Sequence, residues 1–263
     1  MKVFVITGST RGIGLGLAEE CLKRDCAVVI SSRSQAAVDQ VVTELTKKYG
    51  SSRIWGHACD MSDYAQVQSL WDAAIKAFNK VDYWINNAGI DLPNQMFWEL
   101  DVADFQSIVN INLIGVMNGS HIALKGMLAQ NSGQIFNMEG FGSGNQMRPG
   151  YTAYGSTKRA LTYFTQSLAK EVQDKPVKVC TLSPGIVITE LLLGSYTSEE
   201  AKNKAKKIFN ILGDKVETVT PYLIDEILKN TKNGASIAWL STPKVALRFM
   251  TSPFKKRDLF SES

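Results

Sequence analysis

Lys2-Val3-Phe4-Val5-Ile6-Thr7-Gly8-Ser9-Thr10-Arg11-Gly12-Ile13-Gly14 opens the chain, and its reading decides the fold. Residues 2–7 are a short apolar run of the kind a buried parallel strand shows. From residue 12 to 24 apolar positions recur every three or four residues, as an amphipathic helix requires. Between the two, Gly8, Gly12 and Gly14 let the chain turn tightly and let the amides of Ser9, Thr10, Arg11 and Ile13 approach a pyrophosphate. The helix N-terminus adds partial positive charge at the same point. Turns collect glycine for many reasons, so the pattern alone is weak. Placed between a first strand and a first helix, it marks a dinucleotide site.

The alternation continues outward from this unit. Strand-like runs at 27–31, 53–57, 82–86, 134–138 and 177–182 alternate with helical stretches at 35–49, 63–78, 102–130 and 151–173. Five β-α units and a sixth strand predict one α/β domain over residues 1–263: a doubly wound, Rossmann-like parallel sheet covered by helices on both faces, in three layers. No Pro/Gly/Ser linker or internal repeat divides it. After Pro184-Gly185 the rhythm breaks. Leu191-Leu192-Leu193 and a lysine-rich helical stretch at 198–210 read as an inserted substrate lid over about 190–213. A further helix is expected at 221–229 and a seventh strand at 236–240.

Composition sets the remaining bounds. Of 263 residues, 44% are hydrophobic and 21% charged, an ordinary globular balance that excludes disordered and fibrous classes. The net charge of +4 comes from scattered residues, so no nucleic-acid partner is expected. The four cysteines form no Cys-x-x-Cys pair, which predicts reduced thiols and no metal site. No secretory pattern precedes Gly8 and no apolar run reaches the roughly 18 residues that span a bilayer. The expectation is a cytoplasmic protein without integral membrane contact.

Cofactor choice is read at the end of the second strand, where an acid would bind a ribose 2′-hydroxyl and an arginine a 2′-phosphate. The chain has Ser31-Ser32-Arg33 there, and Arg11 in the loop adds a second guanidinium. NADP(H) is therefore expected over NAD(H), against the plainer alternative that Arg33 is a solvated loop cation. Of eight tyrosines, only Tyr154 has a lysine four residues on, Lys158, and that spacing puts both on one face of a helix. An ammonium beside a phenol draws its pKa toward the working range of an acid-base catalyst.

Thr7-Gly8-x-x-x-Gly12-Ile13-Gly14, Asn86-Asn87-Ala88-Gly89, Tyr154-x-x-x-Lys158 and Ser183-Pro184-Gly185 together resemble the short-chain dehydrogenase/reductase family over about residues 1–190. The resemblance implies Asp60 as an adenine contact, Asn87, Ala88 and Gly89 as the wall beside the cofactor, and Thr189 as a ligand of the nicotinamide amide. It extends the cofactor contacts to Ser32, Met61, Pro184, Gly185 and Val187. Asn112 resembles the family asparagine that holds a water for proton relay to the lysine, the alternative being a polar residue on an exposed helix face. In one place the chain departs from the family. Where a serine usually hydrogen-bonds the substrate carbonyl, Glu139-Gly140 stands, and Ser143 is expected to take that role by a bend of the glycine-rich loop. The Gly-rich family ending is also missing.

The run from Asn137 to Gly144, with Tyr154-Gly155-Ser156-Thr157-Lys158 and the stretch from Ser183 to Leu192, is similar to the chlorophyll b reductase branch. That branch reduces a ring formyl group with NADPH. Met96, Phe97, Trp98, Phe141, Met147, Tyr151 and Leu191 to Leu193 are expected to line a pocket for a bulky hydrophobic carbonyl compound, unless some are plain core. Asn112, Ser143, Tyr154 and Lys158 are the expected catalytic set of an NADP-dependent reductase, acting as a homo-oligomer, dimer or tetramer. Three other readings stand beside it: a general carbonyl, 3-oxoacyl or alcohol short-chain reductase; a non-catalytic dinucleotide sensor; and a membrane-surface protein using Lys244, Arg248 and Lys255 to Arg257 between Phe249, Phe254 and Phe260.

Overall fold

Strand β1 (Val3–Thr7) lies between β2 (Ala27–Ser31) and β4 (Tyr83–Asn86), and every residue of β1 is buried. Beyond β2 comes β3 (Ile54–Gly56); beyond β4 come β5 (Gly133–Met138), β6 (Val177–Ser183) and β9 (Ser236–Ala238). All seven strands are parallel, in the order β3-β2-β1-β4-β5-β6-β9. The chain winds outward from β1 in one direction and returns to wind in the other from β4. Their carboxyl ends therefore border a crevice, the place where open α/β sheets bind ligands. The computed structural model describes residues 1–196, 199–254 and 257–260.

Period-two alternation along each strand divides the core. Phe4, Ile6, Ile85, Phe136 and Leu182 face helices α1 (Gly12–Lys23), α2 (Gln35–Tyr49) and α9 (Val216–Lys229), meeting Leu17, Val38 and Leu223. Val5, Val29, Trp84, Ile135 and Val179 face the opposite layer, where α3 (Tyr64–Phe78), α5 (Gly115–Ala129) and α6 (Thr152–Glu171) supply Trp71, Ile122 and Ala169. Three layers and a single α/β domain result, as the alternation of the sequence predicts.

Three elements differ from expectation. The helix expected at 221–229 begins at Val216, with Pro221 inside it. Proline forfeits one backbone bond there, and Val219, Leu223, Ile224 and Ile227 bury an apolar stripe that outweighs the loss. The stretch 102–130 is not one regular helix. α4 (Val102–Val109) and α5 are joined by a π-helical turn at Asn110–Ile114. Taken together, Val102–Ala129 is long and apolar enough to cross a bilayer by length and composition, its most apolar 18-residue window having a mean hydropathy of 1.2; half of that window is buried inside the fold. Finally, α10 (Thr242–Thr251) occupies a region without a sequence assignment.

The expected lid is built on a two-stranded ribbon, β7 (Ile186–Val187) with β8 (Gly213–Asp214), which brackets α7 (Glu190–Gly194) and α8 (Glu199–Leu212). Its base is tied down by Asp214. This buried carboxylate takes ion pairs from Arg248 at 2.8 Å and Arg257 at 2.7 Å and a hydrogen bond from the Trp239 indole at 2.6 Å. The expected helix boundary at Ser198, and Lys255 and Lys256 of the basic tail, lie outside the described residues.

Candidate active site

The phosphate loop is held from beneath. Gly8 has φ +64°, and a Cβ on it would come within 2.8 Å of the Ala88 backbone, so only glycine lets the loop lie on the Asn87–Gly89 segment. A side chain on Gly14 would strike the Gly8 carbonyl and the Asn87 amide. Asn87 clamps the loop, donating from Nδ2 to the carbonyls of Thr7 (2.9 Å) and Gly8 (3.0 Å). The Thr7 hydroxyl in turn accepts the Asn87 and Ala88 amides, each at 3.0 Å. Ser9 is fully buried; its hydroxyl donates to Ile6 O at 2.7 Å and accepts Ser31 N at 2.9 Å. Its side chain and its own amide, which donates to Ser31 O at 2.9 Å, both pin β1 to β2, so neither is available for the expected cofactor contact. The glycine-lined turn at the start of α1 fits a dinucleotide pyrophosphate: Gly8 and Gly14 pack so closely on Ala88, Asn87 and the loop's own backbone that a side chain at either would force the turn away from the helix N-terminus.

At the far edge of the crevice stand Ser32, Arg33, Asp60 and Met61. Arg33 is exposed and makes no hydrogen bond or ion pair among the described residues. Asp60 accepts the Ser62 amide at 2.9 Å and its hydroxyl at 2.7 Å. Arg11 departs from expectation. Instead of turning toward Arg33 it reaches the start of α7, pairing with Glu190 at 3.1 Å, both side chains exposed. Thr189 caps α7 by accepting the Leu192 amide at 3.3 Å, and its methyl would lie 3.5 Å from a Cβ on Gly12. Pro184, Gly185 and the buried Val187 lead from β6 to this point.

Tyr154 and Lys158 lie in the first two turns of α6. Lys158 is buried, donates to Met138 O at 3.2 Å, and its Nζ stands 5.7 Å from the Tyr154 ring centre. Behind them a buried polar chain fixes strands to helices: Trp84 Nε1 to Asn86 Oδ1 (2.7 Å), Asn86 Nδ2 to Asn137 Oδ1 (2.8 Å), and Asn137 Nδ2 to Thr165 (3.0 Å). Each buried polar group is thereby satisfied, which makes the wall rigid. Asn112 is fully buried, so the exposed-face alternative falls away. Its amide clasps the Ile90 backbone, accepting from N and donating to O, both at 2.8 Å. The π-helical turn carries it, a distortion frequent at functional sites.

The glycine-rich loop bends at Gly142, φ +97°, and brings Ser143 Oγ within 3.1 Å of Gly140 N. The hydroxyl donates to Lys158 O at 3.4 Å. It is therefore engaged within the loop and not presented to a substrate as expected. Gly140 itself stands against the Tyr154 hydroxyl, where a Cβ would collide.

Electrostatics also correct the sequence reading. Burial pushes the Tyr154 phenol up, and the Asp91 carboxylate adds to the rise, so Lys158 does not bring it down in this arrangement. Burial lowers Lys158 to about 8, opposed by Asp91 and Glu139. Asp91 is raised to about 6 by burial, opposed by its bond from the Leu92 amide and by Lys158. Glu139 is likewise raised by burial. Neither acid was singled out from the sequence; the available signal was a carboxylate immediately after Asn87-Ala88-Gly89-Ile90.

The surroundings are partly as expected. Phe141 meets Tyr151 at 5.3 Å between ring centres, and Tyr151 meets Tyr154 edge-on at 6.3 Å. Trp98 and Met147, however, are 80% and 93% exposed and enclose nothing. A cleft of about 230 Å³ between the segment after β4 and α7 is lined by Asp91, Leu92, Leu191 and Ser195, with the Arg11 and Glu190 pair at its edge, so its wall is more charged than the sequence suggests. The basic tail is used internally. Arg248 and Arg257 bind Asp214, and Phe260 packs on Phe209 at 6.4 Å.

The short chain dehydrogenase family model matches residues 2–200, and the chain belongs to that family of oxidoreductases. Within it the resemblance is to the chlorophyll(ide) b reductase branch. The chain is 38% identical over 228 residues to the chloroplastic chlorophyll(ide) b reductase NOL of Oryza sativa subsp. japonica, covering 85% of this chain and 65% of that protein. It is 36% identical over 274 residues to the probable chloroplastic chlorophyll(ide) b reductase NYC1 of Arabidopsis thaliana, covering 98% of this chain and 54% of that one. The chain thus spans little more than half of the latter's length. Among solved structures, a 3-ketoacyl-(acyl-carrier-protein) reductase from Brucella melitensis complexed with NADH shares the fold, with a TM-score of 0.80 at 24% identity, over 92% of this chain and 98% of that one. A serine dehydrogenase complexed with NADP+ does so with a TM-score of 0.78 at 20% identity, over 92% and 95%. The expectation of a cytoplasmic protein is overturned by the relatives, which are chloroplastic.

Proposed function

We propose that the protein uses NADPH to reduce the formyl group of chlorophyll b, or of a similarly large and flat apolar ring, to a hydroxymethyl group. The wall around Tyr154 carries this reading. Gly140 packs directly on the Tyr154 hydroxyl and Gly142 on Gly155 of α6, so this wall puts no side chain of its own between the phenol and an extended ring. Similarity to the chlorophyll(ide) b reductases supports the same substrate class, and a plastid setting fits it. NADPH is favoured because Arg33 is exposed and unpaired among the described residues at the place where a carboxylate would serve NADH.

The nicotinamide, when bound, supplies a hydride. The loop from Gly8 to Gly14 and the N-terminus of α1 would hold the pyrophosphate, and Arg33 and Thr189 would serve the 2′-phosphate and the carboxamide. Tyr154 holds the proton that passes to the carbonyl oxygen, and Lys158 holds positive charge behind the phenol to offset the phenolate left after transfer. Asn112 fixes the Ile90 backbone at the edge of the site and keeps that wall from shifting. Residues 190–213 serve as the lid.

A second reading is favoured by one observation: Asp91 and the Arg11–Glu190 pair make the cleft mouth polar, which suits a smaller carbonyl compound. Incubation with NADPH and solubilised chlorophyll b, followed by pigment chromatography, separates the two. A hydroxymethyl pigment supports the first. No pigment product beside brisk reduction of small aldehydes supports the second.

A further inference from the structure

Phe260 lies well beyond residues 2–200, which the family model matches, yet side-chain contacts run from it to the catalytic tyrosine. Its ring stands 6.4 Å from that of Phe209 on α8, and Phe209 meets Tyr196, just after α7, edge-on at 5.9 Å. Tyr196 and Phe209 are buried, with Leu192 and Leu193 of α7 packed against them. The Tyr196 hydroxyl accepts from the Arg148 guanidinium at 3.1 Å and lies 3.5 Å from the Tyr151 hydroxyl. Arg148 covers both rings, its Cζ 5.1 Å from the Tyr151 centre and 5.6 Å from that of Tyr196. Tyr151 in turn stands edge-on to Tyr154. The segment that carries Phe260 is itself fastened. Arg257 donates to the carbonyls of Ile211 at 3.2 Å and Gly213 at 2.8 Å as well as to Asp214, and Leu259 N donates to Asn210 Oδ1 at 3.0 Å. All four acceptors belong to the end of α8 or to β8.

We propose that Phe260 is a positioning residue for substrate fit, acting through Tyr196: residues 257–260 strap the end of α8, Phe260 closes the apolar cluster that seats α7 and Tyr196, and Tyr196 with Arg148 fixes the Tyr151 face of the pocket. The proposal rests on the reductase reading and on residues 190–213 as the lid. Edge-on aromatic contacts and a guanidinium over two rings order this wall before substrate arrives. Where the wall is held in only a fraction of the molecules, apparent affinity falls by that fraction. Tyr154 and Lys158 keep their own contacts, so the effect falls on KM, and it falls most on a substrate large enough to reach the wall.

The test is Phe260→Ala in the full chain, with Phe260→Leu to refill the cluster and Phe254→Ala as a control, since the Phe254 ring is 91% exposed. Trypsin needs no substrate, and α8 carries Lys202, Lys204, Lys206 and Lys207. In Phe260→Ala cutting at these lysines should quicken about tenfold, because cleavage follows the population of the opened segment. Cutting at Lys47 and Lys48 of α2 reports opening of the whole fold and should change far less. Phe260→Leu and Phe254→Ala should both stay near wild type. No change in Phe260→Ala, or equal acceleration at α2 and α8, overturns the proposal. In turnover Phe260→Ala should raise KM for solubilised chlorophyll b about tenfold. Its kcat, its KM for NADPH and its KM for small aldehydes should stay within about twofold. A loss of kcat alike for large and small carbonyl compounds would mean a merely structural role and also overturns it. If the wild type reduces no carbonyl compound, the reductase reading fails, and the trypsin pattern still decides whether Phe260 holds α8 in place.

Discussion

Gly140 stands directly against the Tyr154 hydroxyl, leaving no space for a side chain between them. A serine, the residue the family usually places there, would push its Cβ into the phenol. Gly140→Ser is therefore expected to lower kcat/KM by about 10²-fold, the cost of misplacing a catalytic group by about 1 Å. Higher activity in that variant, measured by NADPH consumption, would mean the phenol has freedom that this geometry denies.

Ser143→Ala removes a hydroxyl that accepts from Gly140 N and donates to Lys158 O. The expected result is a loss of about 1 kcal/mol in stability, with activity reduced far less than the 10²-fold or more of a lost oxyanion donor. Urea melts and steady-state rates on the same preparation check both halves.

The two arginines offered by the sequence as 2′-phosphate ligands should separate. Arg33→Asp is expected to weaken NADPH and improve NADH, since a carboxylate repels the phosphate and accepts a ribose hydroxyl. Arg11→Ala, which breaks only the pair with Glu190, should leave the ratio of kcat/KM for the two cofactors unchanged. Equal shifts in both variants would contradict this assignment.

Asp91 should also mark the pH dependence of stability. Burial raises it to about 6, above the roughly 3.9 of an unfolded chain. Its ionised form therefore costs stability: nothing below about pH 4, where both states are protonated, then a growing penalty that is complete above about 6 and amounts to about 3 kcal/mol at most. Asp91→Asn should raise Tm at pH 8 and converge with wild type toward pH 4. A Tm difference that does not change with pH would disagree.

Much of this could be read from the sequence, for a local reason. The limits of β2 and α2 agree with expectation because a strand buried on both faces and a helix capped by Ser34 announce themselves in adjacent residues. The glycine loop and the Tyr154 and Lys158 pair are legible in the same way, each being set by spacing of a few residues. What escaped is tertiary. Asp214 meets Arg248 and Arg257 across 34 and 43 positions, and no periodicity links them. Asp91 comes to line a cleft only because the fold brings Leu191 and Ser195, a hundred positions away, to the same rim. The start of α9 was hidden by Pro221, which signals a helix start but sits inside one.

The central claim is that Tyr154 donates the proton in NADPH-driven reduction of a formyl ring. The direct measurement follows NADPH absorbance and hydroxymethyl pigment together, in wild type and Tyr154→Phe, with solubilised chlorophyll b as substrate. The account predicts one pigment formed per NADPH consumed in the wild type, and a rate lower by about 10²–10⁴-fold in Tyr154→Phe with NADPH binding retained. Pigment formed by Tyr154→Phe at more than about a tenth of the wild-type rate would contradict a general-acid role of that size.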